Sequence, residues 1–222
     1  MIDPKRLLDE LAGSGAAGGF AGGAAGSVLG SLLTGKSGKK ARKFAGSAAK
    51  LGGAALVGGL AYKAWQSYQQ GQQTAPAGPP ATPPVEPPPA GSAFLPAPDE
   101  SEQNQALSLL LSRAMIAAAK ADGQIDVQES QTLLNRINGL DLPAEDKAFL
   151  FEEYGRPLDI QGLAAAVDSP EHAAEVYTAS LLMVDPPSPP ERIYLDSLAQ
   201  ALQLEAGLVA QIQQAVAASR DA

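Results

Sequence analysis

An all-α fold is predicted by three features of this 222-residue sequence. Apolar residues recur at helical spacing through its last 120 or so positions, no run alternates with period two, and Gly or Pro breaks punctuate the same region about every sixteen residues. The same breaks cut it into roughly seven short helices. With 23 Gly, 18 Pro and no Cys, the chain cannot be one uniformly packed unit of average composition.

Residues 1–73 hold sixteen of the 23 glycines and carry nine Lys/Arg against three Asp/Glu, a balance of +6. No charge occurs from Leu11 to Gly35. Gly18, Gly22, Gly26 and Gly30 recur at four-residue steps, with Gly15, Gly19 and Gly23 beside them, so small residues line one helix face. Each interior Gly costs a helix in water about 0.8–1.0 kcal/mol relative to Ala, whereas in a bilayer small residues at this spacing let helices approach closely. A basic cluster, Lys36, Lys39, Lys40, Arg42 and Lys43, separates this stretch from a second apolar one ending in Tyr62, Trp65 and Tyr68, aromatics suited to a membrane interface. The expectation is membrane association through residues 11–68 and homo-oligomerisation through the glycine steps. Asp3, Asp9 and Glu10 precede any apolar run, so a cleaved secretory peptide is not expected.

Residues 74–98 contain ten of the eighteen prolines and read as a disordered, semi-rigid spacer. Residues 99–222 form the stretch expected to bury a core. Leu107, Leu110, Leu111, Ala114, Met115 and Ala118 make one helical stripe, Tyr194, Leu195, Leu198 and Leu202 a second, and Leu208, Ile212 and Val216 a third. Residues 74–222 carry seven Lys/Arg and twenty-one Asp/Glu, a balance of −14, so the chain is electrically two objects.

Several chemistries are excluded or disfavoured. Without Cys there is no thiolate metal site, disulfide or cysteine nucleophile, and with His172 as the sole histidine an imidazole-rich zinc site is impossible. His172 follows Pro170 closely and reads as a first-turn helix residue. The basic cluster has Phe44 as its one neighbouring aromatic, which argues against nucleic acid as the partner. No catalytic group is assigned, and the chain is expected not to be an enzyme.

The most informative string runs from Ala119 to Glu129, between two apolar helices. It looks like the second half of a calcium loop, but the first and third ligand positions of an EF-hand would fall on Ala118 and Lys120. Capping explains most of it: Gly123 ends one helix, Asp126 starts the next, and Glu129 completes a capping box. Asp122, Asp126 and Glu129 are also hard oxygen ligands of the kind calcium or magnesium prefers. A second acidic turn carries Asp185 and Glu191, where Ser188 is placed to cap, Pro189 to open the helix and Glu191 to reach back three residues. The candidate metal set is therefore Asp122, Asp126, Glu129, Asp185 and Glu191.

The Ala121–Glu129 turn, together with Asp185 and the string Glu191-Arg192-x-Tyr194-Leu195-Asp196-x-Leu198-Ala199, resembles the TerB-like (tellurite-resistance-type) helical domain of YebE-type bacterial proteins. The second turn departs from the family pattern, with Pro186, Pro187, Pro189 and Pro190 where TerB-like repeats have Asp-Gly. The resemblance implies an all-helical bundle, attachment to the bacterial inner membrane, acidic turns suspected of holding a divalent cation, and no established activity. The expected function is thus a non-enzymatic, inner-membrane-associated and stress-related protein that presents an acidic helical domain to a protein or metal partner. The alternative is a divalent-metal sensor or buffer.

Overall fold

The computed structural model describes residues 2–18, 53–71, 88–89, 91–94, 101–121, 137–138, 142–184 and 187–221, and among them eight α-helices and no β-strand are present. They are α1 (Pro4–Gly18), α2 (Gly53–Gly71), α3 (Ser101–Ala119), α4 (Ala144–Gly155), α5 (Ile160–Ala165), α6 (Pro170–Met183), α7 (Pro189–Ala201) and α8 (Ala206–Asp221). The all-α expectation holds, and six of the described helices lie within 99–222.

The bundle is organised around α6, in which every residue from Ala173 to Met183 is buried. A helix apolar on all sides needs cover on all sides, and α3, α2, α8, α1 and α7 supply it. Its start follows from sequence: Ser169 accepts from the backbone N–H of His172 at 3.1 Å and Pro170 takes the first helical position. The buried hydroxyls of Thr178, Ser112 and Ser180 are satisfied locally or across the seam. Thr178 donates to the Ala174 carbonyl at 2.7 Å, Ser112 to that of Ser108 at 2.8 Å, and Ser180 reaches the Ala114 carbonyl of α3 at 3.3 Å.

Helices α1 and α2 belong to the same core. Leu7, Leu8, Leu11, Leu56 and Leu60 lie within one hydrophobic cluster with the leucines and alanines of α3 and α6. Each buried leucine contributes about 1.5–3 kcal/mol over an exposed one, so turning these faces outward would cost on the order of 10 kcal/mol. Within the residues 11–68 expected at a membrane, Leu56, Val57, Leu60, Ala61 and Ala64 of α2 are buried against this chain. Among the described residues, no helix is long and apolar enough to cross a membrane. Small residues do serve close helix approach, but to this chain's own elements. A Cβ on Gly53 would lie 2.6 Å from the Leu8 carbonyl oxygen, and one on Gly58 would lie 2.8 Å from that of Phe94. The Gly53 N–H also donates to Asp9 Oδ1 at 2.6 Å, fastening the start of α2 onto α1.

The downstream end of the proline-rich stretch docks on α2. Phe94 is buried and meets the rings of Tyr62 and Trp65 edge-on at 5.5 and 5.9 Å. The aromatics expected at a lipid interface are engaged here within the protein. The glycines from Gly19 to Gly30 and the basic cluster Lys36–Lys43 lie outside the described residues.

Candidate functional site

Of the five carboxylates proposed from sequence to hold a metal, Asp122, Asp126, Glu129 and Asp185 lie outside the described residues. Glu191 is described and acts as a helix cap, its Oε2 accepting from the Ser188 N–H at 2.6 Å while Ser188 Oγ accepts from the Glu191 N–H at 3.5 Å. This is the capping box read from the sequence, with Pro189 opening α7. Among the described residues, no group of three or more His, Asp or Glu is arranged to hold a metal ion.

Among the described residues, a cleft of about 580 Å³ lies between the end of α2, the α5–α6 turn and the α7–α8 turn. Its size falls in the range of ligand sites. Trp65 and Tyr68 are three residues apart and therefore share one face of α2, which forms the first wall. Gly207 of α8 makes room for the second ring, since a Cβ there would lie 2.9 Å from Tyr68 Cε2. The Tyr68 hydroxyl donates to Glu205 Oε2 at 2.5 Å.

The opposite wall begins at Asp168, whose Oδ1 lies 2.5 Å from His172 Nδ1. The imidazole holds this largely exposed carboxylate at the start of α6. The floor comes from Ala173, Leu202 and Leu208. Among the described residues that line the cleft, the charged ones are Asp168 and Glu205.

The third wall is the end of α7. The Leu204 N–H donates to the Ala199 carbonyl at 3.0 Å and the Gln203 N–H to the Gln200 carbonyl at 3.1 Å, the paired bonds of a Schellman turn. This turn needs a left-handed residue, usually Gly, yet it uses Gln203 at φ +56°. A side chain in that region costs roughly 1 kcal/mol. Gln203 thereby lines the cleft.

Two further polar features lie elsewhere. The Lys120 ammonium donates to the carbonyls of Glu153 at 2.9 Å and Tyr154 at 3.3 Å, and also to that of Arg156, closing the end of α4 where the helix dipole favours a cation. Desolvation holds Lys120 below its ordinary pKa, partly offset by Glu153. In α6, Glu175 is a buried carboxyl whose Oε2 has no partner among the described residues. Burial, reinforced by Glu171, pushes it well above the usual carboxylate range.

Sequence reasoning did not find the cleft. Trp65 and Tyr68 were visible as a pair on one face, but their spacing suits a lipid interface equally well. Gln203 and Glu205 carry no local signal, because a left-handed residue is foreseen from sequence only when Gly or Asn occupies it.

Comparison with known proteins gives a family of unknown function. Residues 18–216 match the family described as "Protein of unknown function (DUF533)". A protein of Yersinia enterocolitica described as "Uncharacterized protein in ampR 5'region" is 29% identical over 91 residues, which cover 41% of this chain and 66% of that protein. The chain thus spans just under two thirds of that relative's length. No solved structure matches.

Proposed function

We infer that this chain, which belongs to the DUF533 family, acts as a non-enzymatic interaction module of the bacterial inner membrane, with an acidic TerB-like helical body of the YebE type. Lipid contact falls to residues 19–52, which contain the glycine steps and the basic cluster Lys36–Lys43, and the body is offered to a protein partner. Self-association through the glycine steps belongs to the same reading, as does a role in stress.

The observation that carries it is the fastening of Gly53 to Asp9 and Leu8. Helix α1 ends at Gly18 and α2 begins at Gly53, and both helices belong to one core, so the two ends of residues 19–52 are joined to the same body. This supports membrane contact by a segment tied at both ends, with crossings in pairs or none, over a single span. The division of charge supports the same arrangement: a basic segment is drawn to anionic lipid while the −14 remainder is repelled from it.

Sedimentation of the full chain with vesicles rich in phosphatidylglycerol tests the reading. At low salt the protein is expected in the pellet. Reversing Lys36, Lys39, Lys40 and Lys43 to Glu is expected to weaken binding at least tenfold, since each Lys near an anionic surface is worth about 1 kcal/mol. Full-length protein left in the supernatant at low salt would overturn it.

A second reading, divalent-cation binding by the Asp122, Asp126 and Glu129 turn, is favoured by the spacing of three hard oxygen ligands in one turn. Calorimetry of the full chain with calcium, magnesium and manganese decides it, and absence of heat at millimolar metal ends it.

A further inference from the structure

We propose that the cleft formed by Trp65, Tyr68, Asp168, Gln203 and Glu205 binds a lysine- or arginine-bearing peptide segment of a partner protein. The inference deepens the interaction-module reading and rests on it for the existence of a partner.

Charge is the first argument. Among the described residues, the cleft is lined by two carboxylates and no Lys or Arg, and both carboxylates are held in place. Tyr68 fixes one oxygen of Glu205 and His172 one oxygen of Asp168, leaving the second oxygen of each without a partner among the described residues. Oriented carboxylates with an open oxygen accept N–H donors from an ammonium or guanidinium at little ordering cost. The end of α7 adds its negative dipole end to this wall. The α6 amino terminus opposes it, but Ser169 Oγ already takes the His172 N–H and Glu171 lies in the first turn.

The apolar surface says what the cation is attached to. Trp65 and Tyr68 line the cleft, and aromatic rings bed the methylene stem of Lys or Arg and attract its charged head. Aromatic anchors of this kind are typical of peptide and protein contacts.

Gln203 distinguishes a peptide from a free amine. Its side chain has one amide acceptor and two donors, the complement of a peptide bond. It occupies a left-handed position where Gly would be at ease, so the strain is tolerated at a point facing the cleft, as is common at binding sites.

Trp65 is the only tryptophan in the chain, so its emission reports on this cleft directly. The experiment titrates the full chain with a blocked octapeptide carrying two arginines between leucines and glycines, with a twin bearing glutamates instead, and with argininamide alone. The arginine peptide is expected to shift Trp65 emission at sub-millimolar concentration, with the twin and argininamide each at least tenfold weaker. Glu205→Gln, which keeps an acceptor for Tyr68, and Asp168→Asn are each expected to weaken binding about fivefold, the share of one solvent-screened ion pair. Thermal melts establish that both variants are folded.

No emission change at millimolar arginine peptide overturns the proposal. So does equal binding of the glutamate twin, unchanged affinity in both folded variants, or argininamide binding as tightly as the peptide. Vesicle sedimentation probes residues 19–52 and this titration probes the cleft, so either can fail while the other stands.

Discussion

The phenol of Tyr68 donates to Glu205 across 137 residues of sequence, joining the end of α2 to the start of α8 at 2.5 Å. A helix from the Gly-rich front of the chain and the last helix thereby share a side-chain bond at the rim of the cleft. Tyr68→Phe removes the hydroxyl and keeps the ring on Gly207. The bond is solvent-exposed, so the expected loss is about 1 kcal/mol, below the range for buried charged pairs. Urea unfolding measures it, and an unchanged midpoint would mean that the two helices are not joined here.

Gln203→Gly should stabilise the protein by about 1 kcal/mol, because the left-handed backbone strain disappears while both turn bonds are kept. In a chain of this size that raises Tm by roughly 2–4 °C. The same substitution should weaken the arginine peptide. A lower melting temperature would contradict the strain argument.

Gly58→Ala sets two effects against each other. Helix propensity favours Ala by about 1 kcal/mol, but the new methyl group would lie 2.8 Å from the Phe94 carbonyl oxygen and 2.9 Å from Glu175 Oε1. Overpacking of that kind costs about 1–3 kcal/mol, so a net loss of about 1 kcal/mol is expected in denaturant unfolding. Were this face of α2 turned to lipid or water, the substitution would instead stabilise.

Glu175 makes stability depend on pH with a definite sign. Its folded pKa lies above the unfolded value because burial penalises the charge, with Glu171 adding repulsion. The folded state therefore favours the protonated acid, and this contribution is complete below the ordinary value of 4.5 and lost as pH rises through the higher folded value. Glu175→Gln has no charge to bury. The variant and the parent should be nearly equally stable below pH 4.5, with the variant gaining on the parent as pH rises. Equal stability at alkaline pH would show that Glu175 ionises in the folded protein without cost.

How much of this was legible in the sequence depends on whether a local rule was at work. The start of α7 was readable to the residue, because Ser188, Pro189 and Glu191 act within one turn. The stripes of α3, α7 and α8 were readable because an apolar periodicity has one meaning when the helix faces a core. The roles of α1 and α2 were not. Small residues at helical spacing state that a backbone comes close, and leave open whether the neighbour is lipid, a second copy, or, as at Gly53 and Gly58, this chain's own Leu8 and Phe94. The cleft was hidden for another reason. Asp168, Gln203 and Glu205 meet Trp65 and Tyr68 only after α2 has packed beside α8, a long-range event with no local signature.

The fastening of Gly53 to Asp9 also has a mechanical meaning. Any pull that residues 19–52 pass to Gly53 loads its amide bond to Asp9 before it reaches the leucines beneath. Tension gathered by the basic segment would therefore bear first on the contact that joins α2 to α1.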